Sequence, residues 1–290
     1  MYVQWSVSAK RPISSQHRAQ IEFAKMEIEA RMTDRVAHHA QFLSDGFAGP
    51  FGLGSPGQMA FVGRQLTTTV FNRAGPNPDD PFVNRHLDSA LVAQLCTHPA
   101  IIAAVEPLLG PDLVVWRSLF FSKAPGSRDV LWHQDSHYWQ IEPPITVTAW
   151  LAIDRAQIAD HCLEIIPGSH KTALTHYPAP PQAQFPEAAH VAAVDLARAM
   201  HLPVESGSFV LFDRSLVHRS GTAGPSRRLA LSIRIAPAHV KIDPALLPAD
   251  GRVLPLWTRA DRANESQHDR DVKPVPAQSL RGLPNVGETS

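Results

Sequence analysis

Trp132-His133-Gln134-Asp135 sets two metal-capable side chains two positions apart. The residues before it are strand-like, and on an extended segment positions i and i+2 face the same side. His133 and Asp135 can therefore point together into one cavity. A third donor has to come from a distant strand, and His218, within Val217-His218-Arg219-Ser220, follows the apolar run Phe209 to Phe212 at a suitable place. Two imidazoles and one carboxylate on one face of a metal leave three positions open, the arrangement of non-haem iron(II) oxygenases. That chemistry needs open positions because a co-substrate, dioxygen and the target C–H bond must meet at one ion. The carboxylate offsets part of the metal charge, while neutral imidazoles keep the ion redox-active. Alone, His-x-Asp is a weak signal in a chain with fifteen histidines; its weight depends on its surroundings.

The elements that must hold these residues change in character along the chain. Gln16 to Leu43, after the N-cap pair Ser14-Ser15, lacks Gly and Pro and is rich in helix formers, ending at Ser44-Asp45-Gly46. Ser55-Pro56 predicts an N-cap followed by Pro at the first helical position. Ala74 to Pro81 reads as a loop, and Leu87 to Leu109 as a helical pattern stopped by Gly110-Pro111. Beyond it come short apolar or β-branched runs: Leu113 to Trp116, Leu119 to Phe121, Ile145 to Ile153, Leu163 to Ile166, Phe209 to Phe212 and Leu229 to Ile235. Turn residues separate them, and many short strands so spaced predict a double-stranded β-helix, or jelly roll, with N-terminal helices packed on it. Ala179 to Ala188 reads as a Pro- and Gln-containing insertion between strands. The expected organisation is one domain over 1–290, with helical support over about 14–110, a jelly-roll core over about 112–240 and a loosely structured tail over about 243–290.

Composition narrows the function classes. The 290 residues are 44% hydrophobic and 19% charged, which suits a packed core. Lys plus Arg and Asp plus Glu are 27 each, so net charge argues for neither nucleic acid nor an anionic membrane as partner. Cys96 and Cys162 make no disulfide framework and fit a reducing, cytoplasmic setting. No apolar run reaches the roughly 18 residues of a spanning helix, and residues 1–10 carry no apolar export signal.

Four blocks make the metal reading specific. They are Trp116 to Gly126, Trp132 to Asp135, Thr148 to Asp154 with Ile166-Pro167-Gly168-Ser169-His170, and His218 to Arg228; Asp45-Gly46-Phe47 adds an opening element. In this order, over roughly 42–240, the chain resembles the phytanoyl-CoA dioxygenase family of iron(II)/2-oxoglutarate oxygenases. The resemblance implies iron(II) on His133, Asp135 and His218, with 2-oxoglutarate and dioxygen as co-substrates. It puts Arg228 on the arginine that grips the distal carboxylate of 2-oxoglutarate, which a guanidinium fork can hold bidentately. Ser220 matches a hydroxyl assisting it, Thr148 and Trp150 match positions facing the co-substrate, and Trp139 matches an aromatic near it in some relatives. Trp116 to Asp135 is close to the halogenating branch, in which a small residue replaces the carboxylate ligand; here Asp135 is present, which implies hydroxylation.

Arg227 competes with Arg228. Strand alternation places Arg228, Ala230, Ser232 and Arg234 on one side, and Arg227, Leu229, Leu231 and Ile233 on the other. The first set is smaller and more polar, as a ligand-facing side should be, so Arg228 is the expected grip. Arg234 either lines the same cavity or ends solvated near a strand terminus, the second being the expected fate. His161 stands where relatives carry Gly, His137 and His170 carry no ligand geometry, and His38-His39 reads as a solvated helix face. Lys123 reads as a turn residue before Pro125-Gly126 or as one reaching the cavity. Arg117, Leu119, Tyr138 and Arg234 are the candidate substrate contacts, and two arginines would suit an anionic small molecule. Desaturation, epoxidation and ring closure are alternative outcomes of the same chemistry. A non-catalytic metal-binding sensor would not need Arg228, and a zinc hydrolase would need a general base that the motifs do not supply.

Overall fold

A computed structural model of the protein describes residues 33–221 and 227–257. The predicted helix over Gln16 to Leu43 therefore lies outside the described residues up to position 32, as do 222–226 in the last motif block and 258–290 of the tail. The chain divides into two compact units, Met1–His38 and His39–Ser290, and the candidate site lies wholly in the second.

Helix α1 runs over residues 33–45 and hands over to strand β1 (Phe47–Gly52) at Gly46. Helix α2 (Pro56–Gln65) begins as the sequence predicts. Ser55 accepts from the Gln58 N–H, the Gln58 side chain accepts from the Ser55 N–H, and Pro56 occupies the first turn. The helical pattern of Leu87 to Leu109 is interrupted. It forms α3 (Ala90–Cys96) and α4 (Pro99–Leu109), bent by 46°. Pro99 cannot continue a preceding helix, and His98 takes the extended conformation that precedes proline. Gly110, at φ 86°, closes α4. Among the described residues no single helix is long and apolar enough to cross a membrane.

Strands follow: β2 (Leu113–Lys123), β3 (Val130–His133), β4 (Ile141–Glu142), β5 (Val147–Ala152), β6 (Leu163–Ile165), β7 (His176–Pro178), β8 (Glu187–Ala189), β9 (Met200–Leu202), β10 (Ser208–Asp213), β11 (His218–Ser220), β12 (Arg228–Pro237), β13 (Lys241–Ile242) and β14 (Leu254–Trp257). Six form an antiparallel sheet in the order β1-β10-β5-β12-β2-β14, and four form a second in the order β3-β11-β6-β9. This is the predicted jelly-roll core. Trp150, Phe212 and Ala230 of the large sheet share an apolar cluster with Leu163, Ile165 and Leu202 of the small one. On the opposite face of the large sheet, Leu229, Leu231, Ile233 and Ile235 pack with Val62 of α2, Leu95 of α3 and Ile101 of α4.

Strand β12 is buried along its whole length, and its alternation separates these two layers. Leu231 is fully buried between β5 and β2, opposite Leu151 and Phe120. Leu231→Ala is expected to cost about 2–5 kcal/mol through lost burial and the cavity left behind, read as a lower urea midpoint at an unchanged slope.

The segment read as a loose tail contributes to the sheet. Leu254–Trp257 pairs with β2 as an edge strand, a place where a proline such as Pro255 is tolerated; just before the tail, Lys241–Ile242 pairs with β4 in a separate two-stranded sheet. The insertion 179–188 is the loop and return strand of a hairpin, β7 pairing with β8.

Candidate active site

His133 closes β3, His218 opens β11, and the two are cross-strand partners. Asp135 begins a single 3-10 turn directly after β3. The fold thus brings the three predicted donors together. All are buried, with donor atoms within 4.8 Å of one another. His133 Nδ1 lies 2.9 Å from the Leu131 carbonyl, and His218 Nδ1 lies 2.9 Å from the Leu216 carbonyl. A carbonyl can only accept, so each Nδ1 donates and each Nε2 keeps its lone pair for a metal. His133 Nε2 is 3.6 Å from Asp135 Oδ1.

Electrostatics keep His218 and Asp135 in ligand form. Burial, then His133, pushes the His218 imidazole down to about 3, so it is neutral near pH 7. Burial opposes charge on Asp135, but Arg234 above all, with His133 and His218, outweighs it and holds the carboxyl well below the usual carboxylate range. Gln134, between the two ligands, uses its whole amide. It donates to the Thr172 carbonyl at 2.8 Å and the Ser215 carbonyl at 2.6 Å, and accepts from the Leu174 N–H at 2.9 Å. It so ties the ligand loop to the segment leading into His218.

A narrow cavity opens on the triad, and Arg228, Ser220, Trp150, Ser232 and Arg234 line it. Arg228 is 1% exposed. One arm donates to the His161 carbonyl, its centre lies 5.9 Å from the Trp150 ring, and its Nε has no partner. Burial lowers its pKa to about 10, still protonated at neutral pH. Arg227 points the other way, exposed and paired with Asp154 at 3.3 Å. Ser220 is buried beside Arg228 in the lining, and Thr148 sits 3.5 Å from Asp135 Oδ2.

Arg234 departs from the expectation of a solvated strand end. It is 6% exposed, inside β12, with a terminal nitrogen 3.5 Å from Asp135 Oδ2 and its guanidinium 4.8 Å from the Trp139 ring. β12 continues three residues past it to Pro237, so it is interior, and Asp135 supplies the opposite charge that makes burial tolerable. Trp139 stands behind Arg234 in a cluster with Trp116 and Ile141, outside the lining of the triad cavity. Arg117 donates to the Leu246 carbonyl, Leu119 bridges to Val83, and Tyr138 donates to the Glu187 carbonyl. Of the four substrate candidates, the cavity lining takes only Arg234.

Lys123 is a brace. Buried, it donates to the carbonyls of Arg128, Ser220 and Gly221, joining the end of β2 to the end of β11. His161 adopts φ 53°, a left-handed conformation that accounts for the expectation of Gly there. His137 stacks on His176 with ring centroids 3.8 Å apart and reaches Glu187 at 2.7 Å, fastening the β7–β8 hairpin to the ligand loop. That hairpin delivers Phe185, 5.0 Å from the His133 ring, which sequence reasoning missed along with Phe121 and Phe212 in the lining. The available signal for Phe185 was a lone aromatic in a polar insertion.

Comparison with known proteins gives the same assignment from another direction. Residues 69–230, more than half of the chain, match the family model described as phytanoyl-CoA dioxygenase (PhyH). A relative named peroxisomal phytanoyl-CoA dioxygenase, from Homo sapiens, is 30% identical over 156 residues, covering 50% of this chain and 46% of that protein. The chain thus spans about half the length of the curated relatives it matches. Among solved structures, the apo form of a non-heme monooxygenase, ThoJ, aligns with a TM-score of 0.65 at 23% identity, over 76% of this chain and 83% of that one. The epimerase SnoN, in complex with Fe3+, alpha ketoglutarate and nogalamycin RO, aligns at 0.59 and 21% identity, over 78% and 97%. These two similarities speak for the fold. The family match, the jelly-roll core and the buried His133-Asp135-His218 cluster agree, and the chain belongs to the phytanoyl-CoA dioxygenase family.

Proposed function

We propose that the protein is an iron(II)- and 2-oxoglutarate-dependent oxygenase that hydroxylates a small, anionic organic molecule. The observation that carries this reading is one cavity holding both the buried triad and a buried guanidinium, Arg228, whose Nε lacks an acceptor. Two imidazoles and a carboxylate fit iron(II), and the fork of Arg228 fits a carboxylate. His133, Asp135 and His218 would hold the metal; Arg228 with Ser220 would hold the distal carboxylate of 2-oxoglutarate. Iron(II) bound there, with 2-oxoglutarate and dioxygen, supplies the oxidising power to convert a C–H bond to C–OH, with succinate and carbon dioxide as co-products.

The protein's own residues orient and shelter this chemistry. The Leu131 and Leu216 carbonyls fix the two imidazoles, and Thr148 and Arg234 face the outer oxygen of Asp135. Trp150, Phe212, Phe121 and Phe185 give the cavity apolar walls that exclude water from the reacting centre. Asp135 fills the position that a halide would need, which favours oxygen insertion. The two buried, unpaired cysteines suit a reducing cytoplasmic setting.

The test is an anaerobic titration with iron(II) and 2-oxoglutarate. A visible charge-transfer band dependent on both is expected, followed by succinate release when oxygen is admitted. A protein that gives neither band nor succinate would refute the assignment. Mass analysis of the product separates a gain of one oxygen from the loss of two hydrogens.

A further inference from the structure

We infer that Arg234 is an anion-binding subsite for the organic substrate, which therefore carries a carboxylate or a phospho group. This rests on the iron and 2-oxoglutarate reading above. Arg228 and Arg234 share one face of β12, six positions apart, or roughly 20 Å along the backbone. They occupy different surroundings: Arg228 lies with His161 and Trp150, Arg234 with Asp135 and Trp139. One five-carbon dicarboxylate can use only one of them as its distal grip.

Charge then decides what Arg234 needs. Asp135 is the acidic side chain that faces it, at 3.5 Å, longer than the 2.7–2.9 Å usual for a charge-assisted bond. One terminal nitrogen of Arg234 donates to the neutral Ser232 Oγ, and its Nε has no partner. Arg117, its cross-strand neighbour on β2, adds positive charge on the same side. A divalent ion on the triad draws on the Asp135 charge. Of the two 2-oxoglutarate carboxylates, one would then meet the metal and the other Arg228. The dication would be balanced by Asp135 and the nearer carboxylate, and Arg234 would be left buried without a counter-charge. An uncompensated buried cation is strongly unfavourable, and a substrate anion beside the metal relieves it. A role only as counter-ion to Asp135 would leave neither the free Nε nor the long contact explained.

The experiment uses full-length protein loaded with manganese(II) and saturating 2-oxoglutarate. Acetate and inorganic phosphate are titrated separately, followed by calorimetry and tryptophan fluorescence. Wild type is expected to saturate with one of them, acetate marking a carboxylate substrate and phosphate a phospho substrate. Arg234→Gln is expected to weaken that anion by about tenfold or more, the loss of one hydrogen bond to a charged group, while 2-oxoglutarate still binds. Arg234→Lys should fall between them, and carries the test should the Gln variant not fold. Anion binding absent in wild type, or equal in the variants, overturns the subsite. So does an Arg234→Gln protein that binds the anion normally but loses manganese, which would make Arg234 a support for Asp135. Wild type that binds no 2-oxoglutarate fails the functional reading itself and takes this inference with it.

Discussion

Asp135→Ala is expected to release the metal, weakening its binding by more than about 100-fold. Even outer partners of metal ligands are worth about 10–100-fold, and Asp135 is the only carboxylate in the cluster. Metal content after dialysis, in wild type and variant loaded side by side, is the measurement. The variant has a second consequence that a surface carboxylate would not. Arg234 loses the acid that faces it, and stranding a buried charge costs about 3–5 kcal/mol. Metal-free Asp135→Ala should therefore unfold at a lower urea concentration than metal-free wild type. The sign of the pH dependence follows from the depressed carboxyl pKa. In metal-free wild type the stabilisation from Asp135 is present above its unfolded pKa and is lost as pH falls toward the folded one. Asp135→Ala should lack that component, so the two urea midpoints should converge in acid.

Arg228→Ala is expected to lower 2-oxoglutarate affinity by about 2–5 kcal/mol, roughly 30-fold to several thousandfold, the range for truncating one partner of a buried charge pair. Metal retention should persist, because Arg228 touches none of the three donors. Arg228→Lys should recover only part, since an ammonium cannot reproduce the bidentate fork. Arg227→Ala is the control. Its guanidinium is exposed and engaged with Asp154, so its removal should leave 2-oxoglutarate binding at the wild-type value. The charge-transfer titration reads all three, and a full-strength band in Arg228→Ala at unchanged affinity would remove the arginine from the site.

Much of the large sheet was legible because its physics is local. Alternation along Arg228 to Ile235 separates an aliphatic face from a polar one, and the fold places these faces against different layers. The spacing of His133 and Asp135 was legible for the same reason, and His218 through the strand pairing it requires. What escaped depends on contacts between distant residues. A lone arginine near a strand end normally reaches water; Arg234 stays inside because Asp135, nearly a hundred residues earlier, meets its charge. Leu254 to Trp257 is a short apolar run with a proline, surrounded by polar residues, and only the free edge of β2 makes it a strand. Phe185 gains its position from a hairpin anchored by the His137–His176 stack, which local propensity does not encode.

The pairing of His133 with His218 also bears on how the molecule is held together. The small sheet is built from strands of three or four residues, little ladder to resist fraying. Its two adjacent strands β3 and β11 carry the imidazoles that face one ion. A metal spanning them would act as a rivet, binding the closed sheet and not the open chain. By mass action, an ion at a thousand times its dissociation constant adds about 4 kcal/mol to unfolding. Metal supply would then govern the lifetime of the fold as well as its turnover, and starvation for the ion would show first as proteolysis near β3 and β11.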